Sequence, residues 1–196
     1  MNPQVLPAPV FVDRPDRLEA MARRLQQVDR LAVDTESNSL FAYREQVCLI
    51  QFSTYETDYV VDPLALRDLS ILAPIFADPK VEKIFHACEY DLLCLKRDYG
   101  FEVANLFDTM LASRVLGRPA VGLGSILKEE FNVELDKHFQ RANWGKRPLT
   151  QAMISYARLD TRYLIPLRQR LKDDLHKAGR WELAHEDFVR MSFIEA

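Results

Sequence analysis

Apolar residues return at steps of three and four in Leu18, Met21, Ala22 and Leu25, the spacing of one helix face. Pro15 stands where a first helical turn tolerates a missing N–H, so the pattern predicts a helix over 15–27 with Asp13 as its N-cap. Prolines at 3, 7 and 9 keep the preceding chain extended. Three short runs then read as strands, over 31–35, 47–52 and 58–61. The middle one, VCLIQF, is apolar almost throughout, as a central strand covered on both faces must be. Only STYET separates the second run from the third, which calls for an antiparallel hairpin. Later strands, over 81–85 and 103–107, are spaced by helical segments over 66–77, 89–98 and 109–116 that demand crossovers. The expected fold is α/β, a mixed five-stranded sheet flanked by helices.

Beyond GRPAVGLG the chain turns helical. GLGS lacks a full dinucleotide fingerprint and reads as a turn opening a helix over 123–131. A long apolar-periodic segment follows over 150–177, and Pro166 inside it predicts a kink or a break. Met153, Ala157, Leu164, Leu167 and Leu171 mark its core-facing stripe, and Asp160 falls on the same stripe. A buried carboxylate is costly unless a positive charge answers it. No Lys or Arg at helical spacing shares that stripe, whereas a bound cation would compensate it. Tyr156, four residues earlier, projects beside Asp160.

Two further acids are out of place in the same way. Asp91 lies three after Cys88 and four before Leu95, on the inward face of its helix. In AVDTES, Asp34 and Glu36 are two apart on a strand and therefore aim at one point. Four converging carboxylates cannot all remain ionised without cations, and hard oxygen ligands in this number select Mg²⁺ or Mn²⁺ over zinc. Two such ions, about 3.5 to 4 Å apart, serve in-line displacement at phosphorus, so phosphodiester hydrolysis is the expected chemistry. Tyr156, with an ordinary pKa of about 10, is expected to orient the attacking water and not to act as a base.

Composition narrows the setting. A chain of 196 residues with 48% hydrophobic content supports one domain spanning 1–196. No stretch approaches the roughly 18 apolar residues of a membrane span, and MNPQVLPAPVF has no signal-peptide pattern, so a soluble, cytoplasmic protein is expected. Cys48, Cys88 and Cys94 form neither a disulfide framework nor a zinc spacing. A net charge of -3 argues against whole-surface affinity for nucleic acid but not against a local basic groove. KHFQRANWGKR is such a stretch: Lys137, Arg141, Lys146 and Arg147 interleave with Phe139 and Trp144, reading as a phosphate-tracking groove with stacking platforms or as a solvated loop. Arg141, Trp144 and Lys146 are its candidate substrate contacts. His86 reads as a satisfied polar residue outside the metal shell, and Asp108 as an N-cap.

DTE on the first strand, HACEYD after the strand at 81–85 and YARLD on the late helix resemble the three motifs of the DEDDy group of 3′-to-5′ exonucleases, ribonuclease D in particular. The stretches DTESNSLFAYREQVCLIQFS, GLGSILKEEFNVELDK and NWGKRPLTQAMISYARLDTRYL extend the likeness over about 10–190. The resemblance implies a ribonuclease H-like fold and two divalent metals, with Asp34, Glu36, Asp91 and Asp160 as direct or water-mediated ligands and Tyr156 on the nucleophilic water. It further implies that Leu40 is a wedge against the terminal bases, where the residue pattern alone also allows a core cap, and that Ser37 meets the 3′-terminal nucleotide. The HRDC modules that follow the exonuclease part of ribonuclease D have no counterpart within these residues. The implied activity is a metal-dependent 3′-5′ exoribonuclease acting on single-stranded RNA ends and releasing nucleoside 5′-monophosphates. The same chemistry on DNA, or a non-catalytic nucleic-acid-binding scaffold, are the alternatives.

Overall fold

The structure, a computed structural model, describes residues 6–194. Among these residues six strands form one sheet: β1 (Val10–Val12), β2 (Arg30–Ser37), β3 (Val47–Ser53), β4 (Asp58–Val61), β5 (Glu82–Phe85) and β6 (Leu106–Asp108). Their order is β1-β4-β3-β2-β5-β6. The hairpins β2–β3 and β3–β4 are antiparallel, and β2–β5, β5–β6 and β1–β4 are parallel, so the sheet is mixed as expected. The sixth strand corrects the expected five. β1 is a three-residue edge strand in a proline-rich segment, too short to carry an alternation of its own, and it forms by pairing Val10 to Val12 with Tyr59 to Val61.

Helix α1 (Pro15–Leu25) buries the four residues whose spacing predicted it. Its N-cap is Arg14, not Asp13, whose carboxylate instead receives Arg17 Nη1 at 3.3 Å. The expected helix over 66–77 is shorter. Asp68 accepts the N–H of Ser70 at 2.8 Å in a local turn, leaving a 3₁₀ turn at Ser70–Leu72 and the single-turn α2 (Ala73–Ala77). α3 (Glu89–Tyr99) and α4 (Thr109–Val115) follow β5 and β6. Asp108 caps α4 as expected, taking the N–H groups of Met110 and Leu111 at 2.8 and 2.9 Å. β6 starts at Leu106 and not at 103, because Asn105 adopts a left-handed backbone immediately before it.

After α5 (Leu123–Phe131), the long apolar segment is broken into α6 (Gln151–Ala157), α7 (Leu159–Arg162) and α8 (Leu164–Lys177). The break precedes Pro166. With no N–H at that residue, the bond to the Arg162 carbonyl cannot form, so the helix restarts at Leu164 and places Pro166 in a first turn, where nothing is lost. α9 (Trp181–Met191) lays Phe188 on Phe107 of β6, ring centroids 4.7 Å apart.

Two apolar clusters cover the sheet. The larger joins α1, α3, α4, α8 and α9 to the strands; the smaller holds Cys48, Leu49 and Val60 against Trp144, Ile154 and Ala157. The α6–α7 arm is tied down by a buried polar knot: Arg158 Nε donates to Asp58 Oδ2 at 2.8 Å, and Ser53 bonds both Asp58 and Thr161 at 2.7 Å. That knot fixes the arm carrying Tyr156 and Asp160 over β2 and β3.

Candidate active site

β2 sends Asp34 and Glu36 to one face, and the start of α7 brings Asp160 over it. Carboxylate oxygens of these three all lie within 4.8 Å of one another. Asp91, in the first turn of α3, stands beside this trio and not within it. It is buried, and its Oδ1 accepts the Thr35 N–H at 3.1 Å together with the Thr35 hydroxyl. The residue between the two paired acids of the strand therefore anchors the fourth.

Burial, followed by the charges of Asp91, Asp160 and Glu36, holds the Asp34 carboxyl well above the usual carboxylate range. Burial and the charges of Asp160 and Asp91 push Glu36 up to about 9. Burial raises Asp160 to about 7, and raises Asp91 to about 7 against the opposing pull of the Thr35 hydrogen bonds. Such a set cannot be fully ionised at neutral pH unless cations neutralise it, and its all-oxygen donors suit a hard divalent metal. The donor set therefore fits a divalent metal ion.

Tyr156 sits on the last turn of α6, its ring stacked on Trp144 and edge-on to Phe139, with centroids at 6.1 and 5.6 Å. Burial, followed by the neighbouring charges of Asp160, Glu36 and Asp34, raises its phenol. It thus keeps its proton at neutral pH, as a positioning hydroxyl must.

Asp34, Thr35, Glu36, Tyr156 and Asp160 line a cleft of about 840 Å³. Gly122, Leu123, Gly124 and Ser125 at the start of α5 line it as well, as do Lys128, Lys137 and Gln140. The turn at GLGS opens the helix as expected, but the sequence gives no sign of its place in the cleft. His86 also lines the cleft, outside the acid cluster, its Nδ1 2.9 Å from the Thr109 hydroxyl.

The basic stretch divides. Trp144 is 1% exposed and belongs to the smaller core, so the expected stacking platform is corrected: its ring packs on Tyr156 and offers no face to a base. Arg147 is occupied by Asp62, at 2.7 and 2.9 Å, and by the carbonyls of Trp144 and Cys48. Arg141 and Lys146 are exposed. Leu40 is 68% exposed, which removes the core-cap alternative, and Phe41 and Tyr43 are exposed beside it. Ser37, at the end of β2, donates to Glu45 at 2.8 Å and lies 3.4 Å from the Tyr90 hydroxyl. The structure adds one buried polar neighbour of the acids: Gln51, whose Nε2 is 3.5 Å from Asp34 Oδ2. Its one signal in the sequence is a lone polar residue in an otherwise apolar central strand.

Residues 9–176 match the family model described as 3'-5' exonuclease. The chain is similar to the exosome complex component 10 homolog of Caenorhabditis elegans, 40% identical over 176 residues, covering 89% of this chain and 20% of that one. Among solved structures it is similar to the catalytic core of RRP6 from Trypanosoma brucei, with TM-score 0.92, 33% identity, and 98% and 53% of the two chains covered. It is likewise similar to Escherichia coli RNase D, an exoribonuclease involved in structured RNA processing, with TM-score 0.86, 29% identity, and coverages of 97% and 52%. The chain thus spans about a fifth of the length of the first relative and about half of each structure.

Proposed function

The chain belongs to the 3′-5′ exonuclease family, and from that premise we propose that it is a metal-dependent exoribonuclease that shortens RNA from the 3′ end and releases nucleoside 5′-monophosphates. The observation that carries the reading is the convergence of Asp34, Glu36 and Asp160 carboxylates within 4.8 Å in an open cleft. The choice of RNA draws on the relatives, an exosome component and an RNase D, whose names attach them to RNA.

Asp34, Glu36 and Asp160, with Asp91 beside them, would hold two divalent cations, Mg²⁺ or Mn²⁺. When bound, these supply an activated water and stabilise the leaving oxygen at the scissile phosphate. Tyr156 orients the attacking water through a hydroxyl that stays protonated. Asp91, whose Oδ1 accepts both the N–H and the hydroxyl of Thr35, holds its carboxylate still. In this reading Lys137 attracts the phosphates entering the cleft, and Arg141 and Lys146 track the strand outside it. Leu40 wedges against the last bases and Ser37 meets the terminal nucleotide. The three cysteines, all buried and free, suit the reducing cytoplasm in which we place the protein.

The test is the product ladder from matched 5′-labelled RNA and DNA oligonucleotides with Mg²⁺, with Mn²⁺ and with chelator. Stepwise loss of 3′ nucleotides from RNA, abolished by chelator, is expected. A strong preference for DNA overturns the choice of substrate, and binding without any shortening overturns the enzyme.

A further inference from the structure

Gln51 is fully buried in β3, directly opposite Asp34 in the β2–β3 ladder. Opposed residues of an antiparallel pair point to the same face, so its amide lies beside the acid cluster. Nε2 is 3.5 Å from Asp34 Oδ2, while Oε1, equally buried, has no partner among the described residues. With Asp34 ionised as a cation ligand, turning the amide over would set Oε1 against a carboxylate oxygen, acceptor to acceptor, so the ligating state of Asp34 selects the orientation with the N–H toward it. A buried acceptor left without a donor is unfavourable, and a leucine or methionine would fill this place in an apolar strand without that loss. Nor does the glutamine tie the sheet to the helical arm. Ser53, on the same face two residues on, makes that tie through Asp58 and Thr161.

We infer that Gln51 is a positioning residue of the cation site, its amide N–H steadying the Asp34 carboxylate and its carbonyl accepting a hydrogen bond from a water that hydrates the bound cation. The inference rests on the proposed function and deepens it. A group of this kind acts through the ligand it holds, and its removal is expressed in metal affinity before it is expressed in substrate binding. It also accounts for the orphan: the missing donor arrives with the ion.

The experiment compares the unaltered protein with Gln51→Met, nearly equal in volume, and with Gln51→Asn, which keeps the amide but withdraws it by one methylene. Mn²⁺ affinity is measured by calorimetry without RNA, alongside the melting temperature of the metal-free protein and kcat and KM on RNA. Expected is a metal-free melting temperature at or above that of the unaltered protein for Gln51→Met and a lower one for Gln51→Asn, which leaves a void, with Mn²⁺ binding weakened about 10- to 100-fold in both variants. At limiting Mn²⁺, kcat should fall with KM for RNA unchanged, and excess Mn²⁺ should recover part of the loss. Affinity in both variants within about twofold of an unaltered protein that binds Mn²⁺ normally overturns this assignment alone, even if stability falls. Failure of the unaltered protein to bind Mn²⁺ overturns the functional reading beneath it, and this assignment with it.

Discussion

Trp144 lies stacked on Tyr156, their ring centroids 6.1 Å apart and their planes 26° from parallel. The indole is buried against Cys48, Leu49 and Val60, so the phenol rests on a surface that belongs to the core of the sheet and not to a mobile loop. In the proposed function, a tryptophan in this position would act by holding Tyr156 in place. Trp144→Phe keeps an aromatic surface but leaves part of the indole volume empty. It should lose about 1–2 kcal/mol of stability, less than the about 3–5 of truncation to alanine. kcat should drop by about tenfold or more with KM for RNA little changed, because a misplaced Tyr156 costs orientation and not substrate affinity. Steady-state kinetics on an RNA oligonucleotide separates this from a base-stacking role, in which KM would rise and kcat hold.

Asp34→Asn and Asp160→Asn each remove one negative charge from a cluster whose members raise one another. Metal-dependent shortening of RNA should fall by more than about 100-fold in either variant. The metal-free proteins should at the same time melt at or above the temperature of the unaltered chain, since like-charge repulsion is relieved. Activity assays paired with thermal melts in chelator check both halves. Near-normal turnover in Asp160→Asn would remove that residue from the site.

The same cluster sets a pH dependence with a definite sign. Its carboxyls have folded-state values raised above the unfolded values of about 4, with Asp91 and Asp160 at about 7 and Glu36 at about 9. Between these limits the folded protein binds more protons than the unfolded one, so stability decreases as pH rises. Below about pH 4 the cluster is protonated in both states and contributes nothing to the dependence. In chelator, the melting temperature should therefore decline from about pH 5 toward pH 9, and Asp160→Asn should show a shallower decline. Added Mn²⁺ should raise it most at the alkaline end, where the ligands are ionised. Melts in a series of buffers with and without Mn²⁺ test this.

The acids were legible because each broke a local rule: Asp34 and Glu36 interrupt a strand on one face, and Asp91 and Asp160 intrude on apolar helix stripes. Elements of the sheet were legible for the complementary reason that β3 is a nearly unbroken apolar run, buried at every position, and that STYET is short enough to force its antiparallel pairing with β4. Trp144 was not legible. An aromatic ring among cations has the same pattern whether it stacks on a base or on Tyr156, and only the return of the 139–149 segment onto β3 decides between them. Gln51 was hidden because its meaning lies in the cross-strand register with Asp34, which depends on the hairpin pairing and not on its neighbours in the chain. The α5 lining of the cleft was hidden likewise, since it is made by packing two segments far apart in sequence.

Arg141, Lys146 and Arg147 are neighbours in the chain with separate tasks. Arg141 and Lys146 are exposed, whereas Arg147 bridges Asp62 to the carbonyls of Trp144 and Cys48. Arg141→Gln or Lys146→Gln should leave the melting temperature unchanged, weaken RNA binding and reduce the slope of log affinity against log salt by about 0.7 for each phosphate no longer neutralised. Arg147→Gln should instead lower stability by about 1–3 kcal/mol, because Asp62 and the carbonyls of Trp144, Lys146 and Cys48 lose a charged donor. Salt titrations of RNA binding alongside thermal melts distinguish the two classes. A flattened salt slope in Arg147→Gln with unchanged melting would reverse the division.

Arg158 and Asp58 form a buried ion pair, and Arg158 stands two residues from Tyr156 and two from Asp160, so the arm that completes the acid cluster depends on charge held inside the fold. Arg158→Met leaves the Asp58 carboxylate in an apolar setting, with Ser53 as its nearest remaining donor and Arg162 at 3.7 Å. Breaking such a pair from one side costs about 3–5 kcal/mol, and the residual Arg162 contact places this one toward the lower end. Asp58→Asn should cost a similar amount by stranding the guanidinium. Removing both charges in Asp58→Asn, Arg158→Met should recover a large part of either loss, because what destabilises is the unpaired charge and not the missing attraction. Denaturant melts of the two single variants and the double variant form the cycle that measures it. If the losses simply add, the pair is uncoupled and the arm is held by Ser53, Thr161 and apolar packing alone. Activity gives an independent check, since a loosened arm shifts Tyr156 and Asp160 together and should lower kcat in both single variants and less in the double.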